Sequence, residues 1–424
     1  MASAALDRAD DSAPVPVAGS HTGAVSVHAK RHFLFLQGLP GPFFRRLGAA
    51  LRARGARVSR VNFNGGDVVD WFGQGARSYR GSLAQWPEWL DRFVASHGVT
   101  DIVVFGDLRP IHREARILAN RLGLQFFAFE EGYLRPNHVT LERGGVNGHS
   151  SFPRSLRAAH MLAASTLGRE EEIPVENSFP RRARQSALYY AATQCAAAFF
   201  PEYRTHRHAS PVREGKAWLR RLWRRRRERR DSLDAMLSLA GRPFFLFPLQ
   251  LEGDAQIRFH SPFESMRDAL ERVLTSFRTA PEGVSLLVKQ HPLDPDVDNW
   301  RRIVSDAVAE LGLTGRVVFV ERYDLAPLLE VARGIVTVNS SVGPLALAAG
   351  VPVNTMGTAI YDMPGVTADM PLDDFWHAPP PVDPDNFALF CRALRAKCLV
   401  NGGFHGGAAL DLLVRSSVAR LMGG

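Results

Sequence analysis

The chain has 424 residues, 46% of them hydrophobic and 22% charged, which is long enough for two domains with separate cores and excludes a disordered or fibrous protein. Its net charge of +9 is unevenly spread. Three cysteines, Cys195, Cys391 and Cys398, are too few and too scattered for a disulfide framework or a zinc site, so a reduced, cytosolic compartment is expected.

Residues 1–30 carry early acids, prolines and no apolar core. They read as a disordered tail and not as a secretory signal. From residue 31 to 154 short apolar runs alternate with helical patterns: "HFLFLQG", "ARVSRVNFNGGD", "DIVVFGD" and "LQFFAFEEG" are strand candidates. Between them lie helical repeats such as "LPGPFFRRLGAALRARG" and "PIHREARILANRLG". This rhythm predicts a parallel, doubly wound sheet. A charge-rich helical segment follows over 155–235, in which Ala187 to Phe200, "ALYYAATQCAAAFF", is too short to span a bilayer and predicts a buried helix. The strand–helix rhythm then restarts over 236–400, with strands in "PFFLFPLQ", "VSLLVKQHP", "RVVFVERYD", "GIVTVNSS" and "GVPVNTMG", and residues 401–424 form a closing helix. The fold class is therefore α/β, with two Rossmann-like halves and a helical insertion between them.

Lys216 to Arg230, "KAWLRRLWRRRRERR", holds nine positive residues and one negative. Trp218, Leu219, Leu222 and Trp223 recur at helical spacing, which predicts a basic amphipathic helix. A solvated linker, a nucleic-acid arm and a membrane-surface helix all fit such a run. No nucleic-acid module accompanies it, and tryptophan with arginine suits an anionic lipid surface.

In open α/β sheets ligands bind beyond the carboxyl ends of the strands, so with two facing sheets the cleft between them is the expected site. Chemically suggestive residues fall at those ends. "VKQHP" sets Lys289 and His291 at a strand end, with Pro292 stopping the ladder, where they can meet an anionic group. "VNSSVGP" puts Ser340 and Ser341 at a helix start, where hydroxyls and free N–H groups favour a phosphate. Gln250 and Glu252 follow the first strand of the second half in "PLQLEGD". The aspartates of "DPDVD", Asp294, Asp296 and Asp298, look like a surface loop, and neither acidic group has the histidine or cysteine spacing of a metal site. In the first half, "FEEGYLRP" ends a strand with Glu130 and Glu131, and Arg135 stands close behind. Adjacent acids raise each other's pKa, and a nearby arginine opposes that. Strand alternation turns one acid to the cleft and the other to a structural partner. The glycine-rich "NFNGGD" suits close approach of a sugar or headgroup. No GxxxxGK[ST], GxSxG or GxGxxG motif occurs at a suitable strand end.

Two Rossmann-like halves joined by a helical segment form the layout of GT-B glycosyltransferases. Together, "GPFF", "NFNGGD", "FEEGYLRPNHVTLERGGVNGHS", "PLQLEGDAQI", "VKQHP" and "VNSSVGPLALAAGVPV" resemble the bacterial capsule polysaccharide biosynthesis and export family of β-Kdo transferases, over roughly residues 31 to 370. The resemblance is greatest to the single-module member, which starts the Kdo linker on lysophosphatidylglycerol at the inner membrane. It implies a GT-B fold, CMP-β-Kdo as donor, retention at the anomeric carbon and no metal or other cofactor. It also implies that Glu131, beside Glu130, is the catalytic carboxylate, and that His291, Pro292, Ser340 and Ser341 bind the CMP-sugar. Lys289, Gln250, Glu252 and Arg135 are further donor-site candidates. The implied partners are CMP-Kdo, a phospholipid acceptor reached from the cytoplasm, and other capsule export proteins, with no nucleic acid. A GT-B enzyme using another nucleotide sugar and a non-catalytic scaffold of the export complex are the alternatives.

Overall fold

The computed structural model describes residues 31–164, 172–176, 178–205, 211–239 and 241–423, and the tail predicted over 1–30 lies outside the described residues. The first half runs β1 (His32–Phe35), α1 (Phe43–Ala53), β2 (Arg57–Asn62), α2 (Gly65–Trp71), β3 (Ala76–Ser78), α3 (Trp86–His97), β4 (Asp101–Phe105), α4 (Pro110–Leu122), β5 (Gln125–Glu131) and β6 (His138–Arg143). Three helices follow: α5 (Leu156–Ala164), α6 (Phe179–Cys195) and α7 (Pro211–Ser238). The second half runs β7 (Phe244–Pro248), α8 (Ala255–His260), α9 (Met266–Phe277), β8 (Ser285–Lys289), α10 (Trp300–Glu310), β9 (Val317–Val320), α11 (Leu325–Val331), β10 (Gly334–Thr337), α12 (Val342–Ala348) and β11 (Val353–Thr355). The chain closes with α13 (Leu372–Phe375), α14 (Pro384–Lys397), β12 (Leu399–Asn401) and α15 (Gly407–Met422).

Local chemistry explains these elements. The central strands β1, β7 and β8 are buried along their whole length, as unbroken apolar runs covered on both faces must be. In α1, Phe43, Phe44, Leu47 and Leu51 fall on one buried stripe. Asn64 caps α2 by accepting from the Asp67 N–H at 2.9 Å, and Ser265 with Asp268 forms a capping box on α9.

The first sheet has seven strands in the order β12-β6-β5-β4-β1-β2-β3, and the second has five in the order β11-β10-β7-β8-β9. Leaving β6 and β12 aside, each sheet has the doubly wound order, with its first and fourth strands adjacent at the centre. All strand pairs of the second sheet are parallel. In the first, β6 runs antiparallel to β5, and β12 antiparallel to β6. The purely parallel sheet predicted for the first half is thus a mixed one. The last strand leaves the second half to pair with the first sheet, and α15 then packs on α1.

Two further expectations are corrected. Ala187–Phe200 does not form a buried helix: within α6 Tyr189 is buried while Leu188 is exposed, because the helix touches the body through one narrow face against α2. Gly65 and Gly66 are not a ligand turn but the first residues of α2. A side chain at Gly65 would strike the Ala192 carbonyl, and one at Gly66 would lie 2.6 Å from the Tyr189 ring, so the glycine pair serves helix–helix contact.

Candidate functional site

The topological switch of the first sheet falls between β1 and β4, where residues just past the strand ends converge. Arg109, at the start of α4, donates from Nη1 to Gln37 Oε1 at 2.9 Å and to the Gly38 carbonyl at 3.1 Å, bridging the crevice. Gln37 Nε2 in turn faces Asp67 at 3.3 Å and Tyr189 at 3.1 Å, and Asp67 pairs with Arg60 at 2.9 Å.

The two acids at the end of β5 part as strand alternation requires. Glu131 lines a cavity of about 230 Å³ together with Arg135, His138, Arg182, Phe404 and His405. Its Oε1 lies 3.2 Å from Arg182 Nη1. Glu130 turns to the opposite face and accepts the backbone N–H of Glu131 at 3.0 Å. Burial pushes Glu130 up to about 7, the charges of Glu131 and Asp107 add to this, and the backbone hydrogen bond and Arg109 oppose it. The opposing cation is therefore Arg109, where the sequence suggested Arg135. Arg135 itself is exposed, with Nε donating to the Gly132 carbonyl at 3.1 Å. Tyr133 stitches the motif together: its hydroxyl donates to Glu142 at 2.8 Å and accepts from the Asn147 N–H at 2.6 Å.

At the switch of the second sheet, between β7 and β10, Gln250 bridges the crevice. Its Nε2 donates to Asn339 Oδ1 at 2.9 Å and its Oε1 accepts from the Asn339 N–H at 3.2 Å. Its amide is thereby engaged within the protein. Glu252 accepts the N–H of Met266 at 3.2 Å, holding the start of α9. Ser340 Oγ accepts from the Val342 N–H at 3.2 Å, while Ser341 is exposed and makes no capping bond. Lys289 is buried at the end of β8. His291 Nδ1 accepts from the Leu293 N–H at 3.1 Å, which leaves the ring proton on Nε2. Burial, then the charges of Lys289, Arg221 and Arg135, lowers His291 to about 4, so it is a neutral donor at pH 7. Pro292 is exposed beside it. The "DPDVD" segment is not the surface loop expected, because Asp294 is buried and accepts from Trp300 Nε1 at 3.1 Å and from Asp296 N–H at 2.6 Å.

No direct contact joins the acids to the seryl turn among the described residues, but a short chain of contacts does. Asn339 Nδ2, next to Ser340, donates to the His260 carbonyl at 3.4 Å. The His260 ring meets that of His149 edge to face at 4.7 Å. His149 Nδ1 then stands 2.8 Å from Asp107 Oδ2, whose charge acts on Glu130. Arg135, for its part, acts electrically on His291.

Sequence reasoning missed Asp107, His149, His260, Arg182 and His405. His149 lies inside the quoted "GGVNGHS", and His405 is flanked by glycine pairs in "GGFHGG", which are weak signals. Arg182 has none, since α6 reaches Glu131 only in the fold.

Two doubly wound sheets, polar side chains bridging both switch points and a chain end that returns to the first sheet define a GT-B architecture. The chain belongs to the family of capsule polysaccharide biosynthesis proteins, whose sequence profile matches residues 100–405. It is 34% identical over 379 residues to the capsule polysaccharide export protein KpsS of Escherichia coli, covering 88% of this chain and 97% of that one. It is 33% identical over 392 residues to the capsule polysaccharide modification protein LipB of Neisseria meningitidis, covering 89% and 93%. Among solved structures, the Thermosulfurimonas dismutans KpsC beta Kdo 2,7 transferase aligns with 93% of this chain and 100% of its own, at 14% identity and a TM-score of 0.42.

Proposed function

We propose that the protein is a retaining glycosyltransferase that moves Kdo from CMP-β-Kdo to a (lyso)phosphatidylglycerol acceptor in capsular polysaccharide biosynthesis and export. The observation that carries this reading is the placement of Glu131: a strand-end carboxylate that opens into a cavity ringed by Arg135, Arg182 and His405. Family membership and near full-length likeness to KpsS support the capsule context.

In this mechanism Glu131 attacks the anomeric carbon as the bond to the phosphate oxygen breaks, and its electron pair leaves with CMP. The acceptor hydroxyl then attacks the glycosyl-enzyme and passes its proton to solvent water, as the bond to Glu131 breaks and its electron pair returns to the carboxylate. Two displacements give retention. Arg182 orients the Glu131 carboxylate. Glu130 is a positioning residue that holds the Glu131 peptide. Lys289, neutral His291, Ser340 and Ser341 bind the donor, whereas Gln250 and Glu252 act through Asn339 and α9.

The lipid acceptor calls for a membrane-docking surface, and α7 supplies it. Trp223 is 88% exposed, and Trp218, Leu219 and Leu222 are exposed around it, among solvent-facing arginines from 224 to 230. No helix of the described residues is long and apolar enough to cross a membrane. Peripheral attachment at the cytoplasmic face of the inner membrane follows from this reading.

The test is a transfer assay with purified protein, CMP-Kdo generated in situ and a fluorescent lysophospholipid, read by mass spectrometry. A product one Kdo heavier is expected, with none from UDP-sugars. Transfer from a different nucleotide sugar alone would favour another GT-B activity, and no transfer from any donor would favour the scaffold role.

A further inference from the structure

Helix α7 carries its basic run, but its inner face is polar and fixed. Ser232 Oγ accepts the N–H groups of Glu321 at 3.2 Å and Arg322 at 3.1 Å, and Glu228 accepts from Arg322 Nε at 2.6 Å. One residue on this face is left incomplete. Arg221 is 3% exposed, yet neither Nε nor Nη1 has a hydrogen-bond partner. Its nearest carboxylate, Glu228, stands 4.0 Å from Nε and is already bonded to Arg322. The Trp218 ring, 5.7 Å from the guanidinium carbon, offers a face but no counter-ion. A buried guanidinium with bare N–H groups is destabilising by itself.

Arg322 repels the Arg221 charge, while Glu228, Asp294 and Asp296 attract it and leave its Nε and Nη1 unbonded. Arg224, one turn on, reaches Asp296 at 4.0 Å, and Asp296 accepts from Gln290 Nε2 at 3.2 Å, so this face of α7 overlies the loop leaving β8. Lys289 ends that strand, 7% exposed, with its Nζ donating to the Gln290 carbonyl at 3.4 Å. Among the described residues no carboxylate lies within ion-pair distance of Lys289. Asp324 attracts Lys289 only from beyond that distance, and Asp294 has one oxygen on the Asp296 N–H and the other on Trp300 Nε1. Burial and then the Arg221 charge lower the Lys289 pKa, and both cations add to the lowering of His291.

We infer that Arg221 and Lys289 together bind a phosphate oxyanion, with the Nε2–H of His291 alongside, so that α7 contributes directly to the donor site. A phosphate spreads its charge over several oxygens and matches a fork, an ammonium and a neutral donor at once. That the phosphate belongs to a nucleotide sugar rests on the proposed function; that an anion binds here does not.

The experiment compares the full-length wild type with Arg221→Met, which keeps the apolar stem, and with Arg221→Lys, which keeps the charge without the fork. Melting temperature is read with and without inorganic phosphate, and affinity is measured for CMP and for cytidine. Expected are a ligand-free Arg221→Met no less stable than the wild type and loss of the phosphate-induced rise in melting temperature. CMP binding should weaken at least about tenfold, with cytidine binding unchanged and Arg221→Lys in between. If Arg221→Met does not fold, the same CMP and phosphate comparison on Arg221→Lys decides. A variant with unchanged phosphate response and CMP affinity overturns the inference, as does a wild type that responds to neither. A phosphate response that depends on Arg221, in a protein that does not bind CMP, sinks the nucleotide-sugar reading and keeps the anion site.

Discussion

Glu130 and Glu131 are adjacent in sequence and sit in different physical worlds, one turned toward the Asp107 side and the other beside Arg182. Burial gives Glu130 a pH-dependent share in stability. Its folded pKa, about 7, lies above the ordinary 4.5, so between those values the folded chain holds a proton that the unfolded chain has released. Stability therefore falls as pH rises through that window, by on the order of 3 kcal/mol. Glu130→Gln keeps an acceptor for the Glu131 N–H but removes the charge. Urea midpoints across the window should lose that part of their decline, and the variant should be the more stable protein above pH 7. An unaltered slope would show that Glu130 titrates normally. The pair of acids was legible in the sequence, and so was the rule that strand alternation would part them. That Arg109 opposes Glu130 and Arg182 meets Glu131 was not, because both arginines arrive from other elements.

At the scale of elements, the strands were easy to read because buried parallel strands are continuous apolar runs bounded by turns. The others were not: β3 and β12 have three residues each, β12 pairs with chain some 260 positions away, and β6 turns back antiparallel on β5, which a strand–helix rhythm does not announce. Of the middle helices, α6 misled and α7 did not. The alanine-rich α6 reads as core but is pinned mainly over the glycines of α2. For that reason Gly65→Ala, driven against the rigid Ala192 carbonyl, should lower stability by about 1–3 kcal/mol, measured by thermal unfolding; an unchanged melting temperature would mean that the helices are not in close contact. Helix α7 reads as amphipathic, and it is, with the apolar residues outward. Replacing Leu222 and Trp223 by alanine should cut sedimentation with anionic vesicles severalfold, while melting temperature and transfer to a soluble acceptor stay the same. An undiminished vesicle-bound fraction would reject α7 as the anchor.

At the scale of the whole molecule, repeating one strand order in two sheets places a switch crevice in each half, and Arg109 and Gln250 bridge them. The repeat was visible as a rhythm in the sequence. The return of the chain end, which brings Phe404 and His405 to the Glu131 cavity, was not, since nothing local in "GGFHGG" announces its partner. The central claim is that the Glu131 carboxylate performs the transfer. The measurement that addresses it most directly is turnover of Glu131→Gln beside its affinity for CMP. Turnover should drop on the order of a thousandfold with CMP affinity within about threefold of wild type. Turnover near that of the wild type would contradict the claim.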